Sequence, residues 1–196
     1  MLQHLRGDDV VVLGLARGGM AVAAEVAHEL KAPLDVLVVR KIGAPGNPEF
    51  AVGAIAPGAR VMDDRVIQML GVPEPILSLA VEHAATELRD REQRYFARRR
   101  PISLAGKTVI LVDDGLATGS TAAAAVASVR HKQPRRVIVA VPVGSVEAVA
   151  HLQSLADEVV CMAVPSHFSA VGQWYQQFEQ LTDGDVLALL DTATLY

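Results

Sequence analysis

The sequence is poor in several things, and each shortage excludes a class of protein. Among its 196 residues the only cysteine is Cys161, so no disulfide can form within the chain. Six histidines are present in neither HxH nor HExxH spacing, which leaves no zinc pattern. Basic residues number 18 against 22 acidic ones, giving a net charge of -4 and a pI near 5.8. That balance argues against a protein that grips nucleic acid or an anionic membrane through bulk electrostatics. The longest apolar runs, at 10–15 and 137–143, fall far short of the roughly 20 residues needed to cross a bilayer. Asp8 and Asp9 stand where a secretory signal would begin its apolar stretch, and no small-residue cleavage site follows, so a cytoplasmic protein is expected. No repeat, low-complexity tract or linker divides the chain, and one domain over 1–196 is expected.

What is present is apolar content, at 51%. A chain this long buries roughly 70% of its unfolded surface and needs no metal or disulfide to hold a core. Short Val, Ile and Leu runs at 10–15, 34–39, 108–112, 137–143 and 159–164 read as strands covered on both faces, as in a parallel sheet. Helical periods lie between them: Val22, Val26 and Leu30 form one stripe within 20–30, and Val126 and Val129 sit three apart in the Ala-rich 121–129. Strand and helix in alternation predict an α/β fold with right-handed crossovers. Residues 41–60, with Gly43, Pro45, Gly46, Pro48, Gly53, Pro57 and Gly58, read as a loop or loose hairpin. A helix is expected over about 75–99, with Leu77, Val81, Ala84 and Leu88 on its apolar stripe. Beyond Pro165 a small lobe follows. Trp174, Tyr175 and Phe178 share one helix-like segment there, and Thr182 with Asp185 forms a capping box for a last short helix.

The most informative stretch is 109–121, VILVDDGLATGST. A hydrophobic strand ends in two carboxylates, Asp113 and Asp114, and a small-residue turn then opens an Ala-rich helix. Backbone amides of Thr118, Gly119, Ser120 and Thr121 at a helix N-terminus make a phosphate cradle, and the hydroxyls add donors. The carboxylates would repel a phosphate, so their partners are sugar hydroxyls or a divalent cation. The stretch resembles the ribose-5-phosphate motif of type I phosphoribosyltransferases, with two departures. Gly115 stands where the family usually has an aliphatic residue, and Ala117 stands where purine-specific members often carry an acid.

Two more segments are similar to the same family. Residues 14–19, GLARGG, follow the first strand where these enzymes keep the pyrophosphate loop, and 38–41, VVRK, end the second strand with two cations. The segment KIGAPGNPE at 41–49 resembles a group of bacterial members. The resemblance implies a central, mainly parallel sheet with helices on both faces, an insertion of lid and helix over about 42–104, and a C-terminal hood over about 165–196. It implies phosphoribosyl pyrophosphate (PRPP) as donor, a nitrogen nucleophile such as a nucleobase as unidentified acceptor, and Mg²⁺ as cofactor held directly or indirectly by Asp113 and Asp114. By resemblance Ala117, Thr118, Gly119, Ser120 and Thr121 hold the 5′-phosphate. Ala16, Arg17, Gly18 and Gly19 hold the pyrophosphate with Lys41, and Arg40 is a weaker candidate. The Ala16–Arg17 peptide is expected to be cis, because the family's loop often turns its amides inward in that way. No side-chain nucleophile is required, and catalysis rests on Asp113, Asp114, Arg17 and Lys41.

Other residues admit two readings. Phe168, Trp174 and Tyr175 either stack on the acceptor or form the core of the small lobe. Arg89, Arg91, Arg94, Arg98, Arg99 and Arg100 read as the solvated face of the long helix. Glu49 and Phe50 are exposed-loop candidates, and Cys161 reads as a small buried hydrophobe. Two rival functions stay open: a binding module of the same fold without turnover, and an NADP-dependent oxidoreductase built on 14–19, for which Arg40 replaces the acid that NAD would need. Dimers are common among proteins that resemble this one.

Overall fold

A computed structural model describes residues 1–7, 9–97 and 99–193, without the side chains of Pro48 and Glu49. Asp8, Arg98 and the Glu49 side chain, each considered above, therefore lie outside the described residues. The elements in chain order are β1 (Val10–Ala16), α1 (Gly19–Leu30), β2 (Leu34–Val38), β3 (Arg40–Ala44), β4 (Asn47–Ala56), β5 (Ala59–Met62), α2 (Asp64–Leu70) and α3 (Glu74–Phe96). They continue with β6 (Thr108–Val112), α4 (Ser120–Arg130), β7 (Arg136–Val143), α5 (Val146–Gln153), β8 (Glu158–Ala163) and α6 (Asp183–Ala193).

The five apolar runs form one parallel sheet of order β2-β1-β6-β7-β8. Every residue of β6 is buried, because the sheet is covered on both sides. Val109 and Leu111 meet α4 and α5 on one face, while Ile110 and Val112 meet α1 and α6 on the other. This double coverage is the reason for continuous apolar runs in place of an alternating pattern. The sequence placed Val22 and Val26 on the inner stripe of α1. The buried face is instead Met20, Ala23, Ala27 and Leu30, with the two valines only partly covered. Gly14 explains the choice: a Cβ there would strike the Met20 sulfur and meet Ala23 Cβ at 2.9 Å, so α1 lies close on β1 through its small residues.

Of the two readings of residues 41–60, the hairpin is the one found, extended by a third strand. They form a second, antiparallel sheet of order β3-β4-β5. Both of its faces are buried, which is what makes strands of so glycine-rich a segment: Ala54 and Ala56 pack toward α4, while Ile42, Ala44 and Val52 pack on Leu77 and Ala84 of α3. Gly53 is required by close approach, since a Cβ there would strike the Val61 carbonyl on β5. The long helix appears as expected, with Leu77, Ala84 and Leu88 buried. It is preceded by α2, which the Asp63 carboxylate caps by accepting from the Val66 amide at 3.1 Å and which Gly71 ends with φ 59°. Trp174, Tyr175 and Phe178 do not share a helix. A 3₁₀ turn covers Val171–Trp174, and the other two residues follow it, their rings 5.2 Å apart. The capping box is present: the Asp185 carboxylate accepts from the Thr182 amide at 2.7 Å and from its hydroxyl at 2.6 Å, and the Asp185 amide returns a bond to that hydroxyl at 3.2 Å. Among the described residues no helix is long and apolar enough to cross a membrane.

Candidate functional site

From β1 the chain moves outward to β2, then returns to lay β6 on the other side of β1. The following helices lie on opposite faces, α1 on one and α4 on the other. A crevice therefore opens beyond the carboxyl ends of β1 and β6, the place where open α/β sheets bind ligands.

Both loops singled out in the sequence run into that crevice and touch. The Ala16–Arg17 peptide is cis, as the resemblance implied. Beyond it, Gly18 and Gly19 lie against the acid pair. A Cβ on Gly18 would strike the Asp114 carboxylate, and one on Gly19 would strike the Val112 carbonyl and come within 2.8 Å of Asp113 Cα. Glycine is needed at these two positions for space, since the loop could not otherwise settle on the β6 turn.

Asp113 and Asp114 are both partly buried, and an Asp113 oxygen accepts from the Asp114 amide at 2.9 Å. Burial first, and then the Asp114 charge, hold the Asp113 carboxyl well above the usual carboxylate range. Burial likewise raises Asp114, partly offset by its bond with Asp113 and by the Lys41 charge. Lys41 on β3 is thus close enough for its charge to act on both acids. Arg40 is not: its guanidinium pairs with Glu87 of α3 at 2.5 Å, a tie between the second sheet and the long helix. Neither Arg17 nor Lys41 makes an ion pair among the described residues, so both cations remain available to an anion.

The turn after the acids opens α4. Gly119 takes φ 78°, a conformation only glycine adopts without strain, and no side chain caps the helix. The Ser120 amide makes only a long bond, 3.4 Å, to the Thr118 hydroxyl, and the first amides of the helix lie at the positive end of its dipole. Thr118 and Ser120 hydroxyls lie 3.1 Å apart beside them, and Ala117 and Thr118 are exposed. Ser145, the N-cap of α5, fixes this turn from behind. Its amide donates to the Leu116 carbonyl at 2.9 Å and its hydroxyl to the Ala117 carbonyl at 2.8 Å.

Gly115 now has an explanation. The space of its missing side chain is filled by Val171, whose methyl carbons would stand 2.8 and 2.9 Å from a Cβ. The aliphatic group usual at this position is supplied by the C-terminal lobe. Beside it the Tyr175 hydroxyl donates to the Asp114 carbonyl at 2.6 Å, and burial together with the two carboxylates pushes that hydroxyl up to about 12. Tyr175 is closer to the site than the sequence suggests, because only the loop returning over the sheet creates its contact with the acid turn. Of the two aromatics more readily picked as acceptor contacts, Phe168 is half-buried and Trp174 is 46% exposed. Cys161 is only partly buried in β8, and its thiol donates to the Ala163 carbonyl at 3.2 Å.

The arginines of α3 and of the segment after it are not all simply solvated. Arg91 and Arg94 meet Asp183, and Arg99 meets the buried Asp35 at 3.4 Å.

The phosphoribosyl transferase domain family model matches residues 1–178. Two curated proteins of Mycobacterium tuberculosis, from strains H37Rv and CDC 1551, carry provisional phosphoribosyl transferase names and are 47% identical over 193 residues. Those alignments take in 98% of this chain and 44% of each relative, so the chain spans less than half of their length. A crystal structure of a protein from Thermus thermophilus is 46% identical, with a TM-score of 0.78 over 96% of this chain and 90% of that one. The APRTase of Giardia lamblia, solved with 9-deazaadenine, is 14% identical with a TM-score of 0.50 over 85% of this chain and 76% of its own, a likeness of fold.

Proposed function

Because the chain belongs to the phosphoribosyl transferase domain family, we propose that it transfers the 5-phosphoribosyl group of PRPP to a nitrogen nucleophile such as a nucleobase, releasing pyrophosphate. The observation that carries this reading is the acid pair seated under Gly18 and Gly19, with Lys41 beside it and an uncapped helix start next to it. In this reading residues 117–121 take the 5′-phosphate through the first amides of α4 and the hydroxyls of Thr118, Ser120 and Thr121. Asp113 and Asp114 accept from the ribose hydroxyls, which removes the cost of two partly buried carboxylates facing each other. Residues 16–19 with Arg17 and Lys41 hold the diphosphate.

The chemistry then follows from charge. The C1–O bond to the diphosphate breaks and its electron pair leaves with the oxygen, while the ring takes on positive character, the C1–N bond forms and the nitrogen's proton passes to water. Arg17 and Lys41 stabilise the departing negative charge, and the carboxylates stabilise the ring; no protein nucleophile is needed.

Mg²⁺ fits this donor set in part. Asp113 and Asp114 offer hard oxygens, but among the described residues no group of three His, Cys, Asp or Glu side chains is placed to hold a metal. The remaining ligands would be substrate oxygens, and the bound ion would offset charge on the diphosphate.

We further propose that 1–196 acts as one unit in the cytoplasm, with the hood closing over the acceptor. The acceptor would lie against Val171 and Tyr175, with Phe168 and Trp174 on the outer side. Two observations weaken the rivals. Val171 restores the bulk missing at Gly115, which leaves Ala117 as the sole departure favouring a module without turnover. Arg40 is engaged with Glu87 and so is not free to hold the 2′-phosphate of NADP.

The test is calorimetric titration of PRPP, with and without Mg²⁺, on the wild type and on Asp113→Asn/Asp114→Asn. Micromolar binding that needs Mg²⁺ and falls by about 100-fold or more in the double variant is expected, followed by pyrophosphate release on adding the correct base. An intact protein that ignores PRPP would overturn the reading.

A further inference from the structure

Beside β2, the edge strand of the parallel sheet, lies a cavity of about 300 Å³. Its walls are mostly apolar, made by Leu13 of β1, Val36 and Leu37 of β2, Phe96 of α3, and Ile102 and Leu104 beyond it. The segment at 101–105 is the outer wall, and the buried Asp35 fixes it in place. The Asp35 carboxylate accepts from the Ile102 amide at 2.8 Å and from its neighbour Val36 at 2.8 Å, and lies 3.4 Å from the Arg99 guanidinium. Ser128 of α4, also in the wall, donates its hydroxyl to the Pro57 carbonyl at 2.6 Å and so ties α4 to the turn between β4 and β5. The cavity is therefore held open by bonds from several elements. Its volume stands at the lower end of the roughly 300–1,000 Å³ usual for small-molecule sites, which are mostly apolar with a few polar groups.

Two charged side chains line this space without meeting. Glu92 of α3 and Lys132, just beyond α4, are both in the wall, and among the described residues neither makes an ion pair or a side-chain hydrogen bond. Burial raises the Glu92 carboxyl, and the Lys132 charge offsets part of that rise. A partly buried carboxylate without a partner is costly, and a cationic donor carried by a ligand removes the cost. Lys132, at an exposed position, is open to an anion. We propose that the cavity is a second binding site, for an apolar amino acid of about the size of leucine, with its ammonium on Glu92 and its carboxylate on Lys132. A ligand with one charge leaves one of the two groups unanswered, and an uncharged one buries Glu92 further without a partner. None of residues 16–19, Lys41 or 113–121 lines the cavity, so the proposal is independent of the function assigned to the crevice.

The experiment follows the methyl groups of Leu37, Ile102 and Leu104 in the full chain by NMR during titration with three probes. These are L-leucine, 3-methylbutylamine, which lacks the carboxylate, and 4-methylpentanoate, which lacks the ammonium. Saturable shifts centred on these methyls are expected with leucine, and each singly charged probe should bind about tenfold more weakly. Glu92→Gln should raise the Kd of leucine about tenfold, and Lys132→Ala, at its exposed position, about threefold. The comparison of probes uses the wild type, so it decides the matter even where a variant is less stable. Leucine that shifts none of these methyls, an amine or acid that binds as tightly as leucine, or an unchanged Kd in Glu92→Gln overturns the proposal.

Discussion

The two ends of the parallel sheet carry the same kinds of side chain and use them in opposite ways. At the amino ends of the strands, charges are matched: Lys107 with Asp9 at 2.5 Å, Arg136 with Glu158 at 2.6 Å, and Arg130 with Asp157 at 2.9 Å. Asp157 also accepts from the Val137 amide at 2.6 Å, and the Arg130 hydrogen bond holds its carboxyl below the usual value despite some burial. At the carboxyl ends, Asp113 and Asp114 face each other with raised pKa values, while Arg17 and Lys41 have no ion-pair partner among the described residues. One end is arranged for folding stability. The other keeps its charges uncommitted, at a cost to the ligand-free protein, which is the mark of a site awaiting a ligand.

The comparison breaks most sharply at the glycine loop. Gly18→Ala pushes on the movable end of Asp114, whereas Gly19→Ala pushes on the backbone at Val112 and Asp113. The first is expected to weaken PRPP binding by about 100-fold with little change in Tm, and the second to cost about 1–3 kcal/mol of stability as well. Calorimetry and thermal melts on the two variants separate these effects, and equal Tm losses would mean that the acid turn is rigid throughout.

Next in size is Asp113→Asn. A carboxyl raised by folding favours the native state at low pH, and that advantage is lost as pH rises through the folded pKa. At pH 7, above the unfolded pKa near 4, an ionised Asp113 costs the wild type stability that the neutral variant does not lose, so the variant should be more stable by about 1–3 kcal/mol. The gain should shrink as the pH falls toward the carboxylate range. Melting curves from pH 4 to 8 decide this, and a variant less stable at pH 7 would contradict the unsatisfied pair.

Asp157→Asn gives the smallest and opposite change. Its lowered carboxyl adds stability above the unfolded pKa near 4, and loses it as pH falls through the folded value. Discounted for the exposure of the Arg130 pair, the variant should lose about 0.5 kcal/mol at pH 7 and nothing at strongly acid pH. PRPP binding should be unaffected.

The elements that the sequence disclosed are those whose environment is uniform along the segment. Four of the five parallel strands are buried along most of their length, so their runs are continuous, while the edge strand β8 is only partly covered. The acid pair with its small-residue turn is local in the chain. The second sheet was hidden because Gly43, Pro45, Gly46 and Gly53 carry turn signals. Pro45 and Gly46 are the turn they signal, whereas Gly43 and Gly53 become strand positions because α3 and α4 cover the two faces. The inner side of α1 was misplaced because its contact with Gly14 favours small residues over the larger valines. Tyr175 was singled out, but its bond to Asp114 could not be read, nor could the contacts of Asp183 with Arg91, Arg94 and Tyr95, since each joins residues far apart in sequence.

The adjacency of β1 and β6 has a kinetic meaning. Val10 lies beside Thr108, so their pairing closes a loop holding α1, β2, the entire second sheet, α2 and α3. Each doubling of such a loop adds only about 0.6 kcal/mol of closure entropy, so the insertion could lengthen with little effect on equilibrium stability. Folding speed is more sensitive, because contacts distant in sequence form slowly. The acid turn and the glycine loop sit at the ends of these two strands, and neither can meet the other until the loop has closed. If the proposed function holds, the first appearance of PRPP binding during refolding would therefore be a clock for the pairing of β1 with β6.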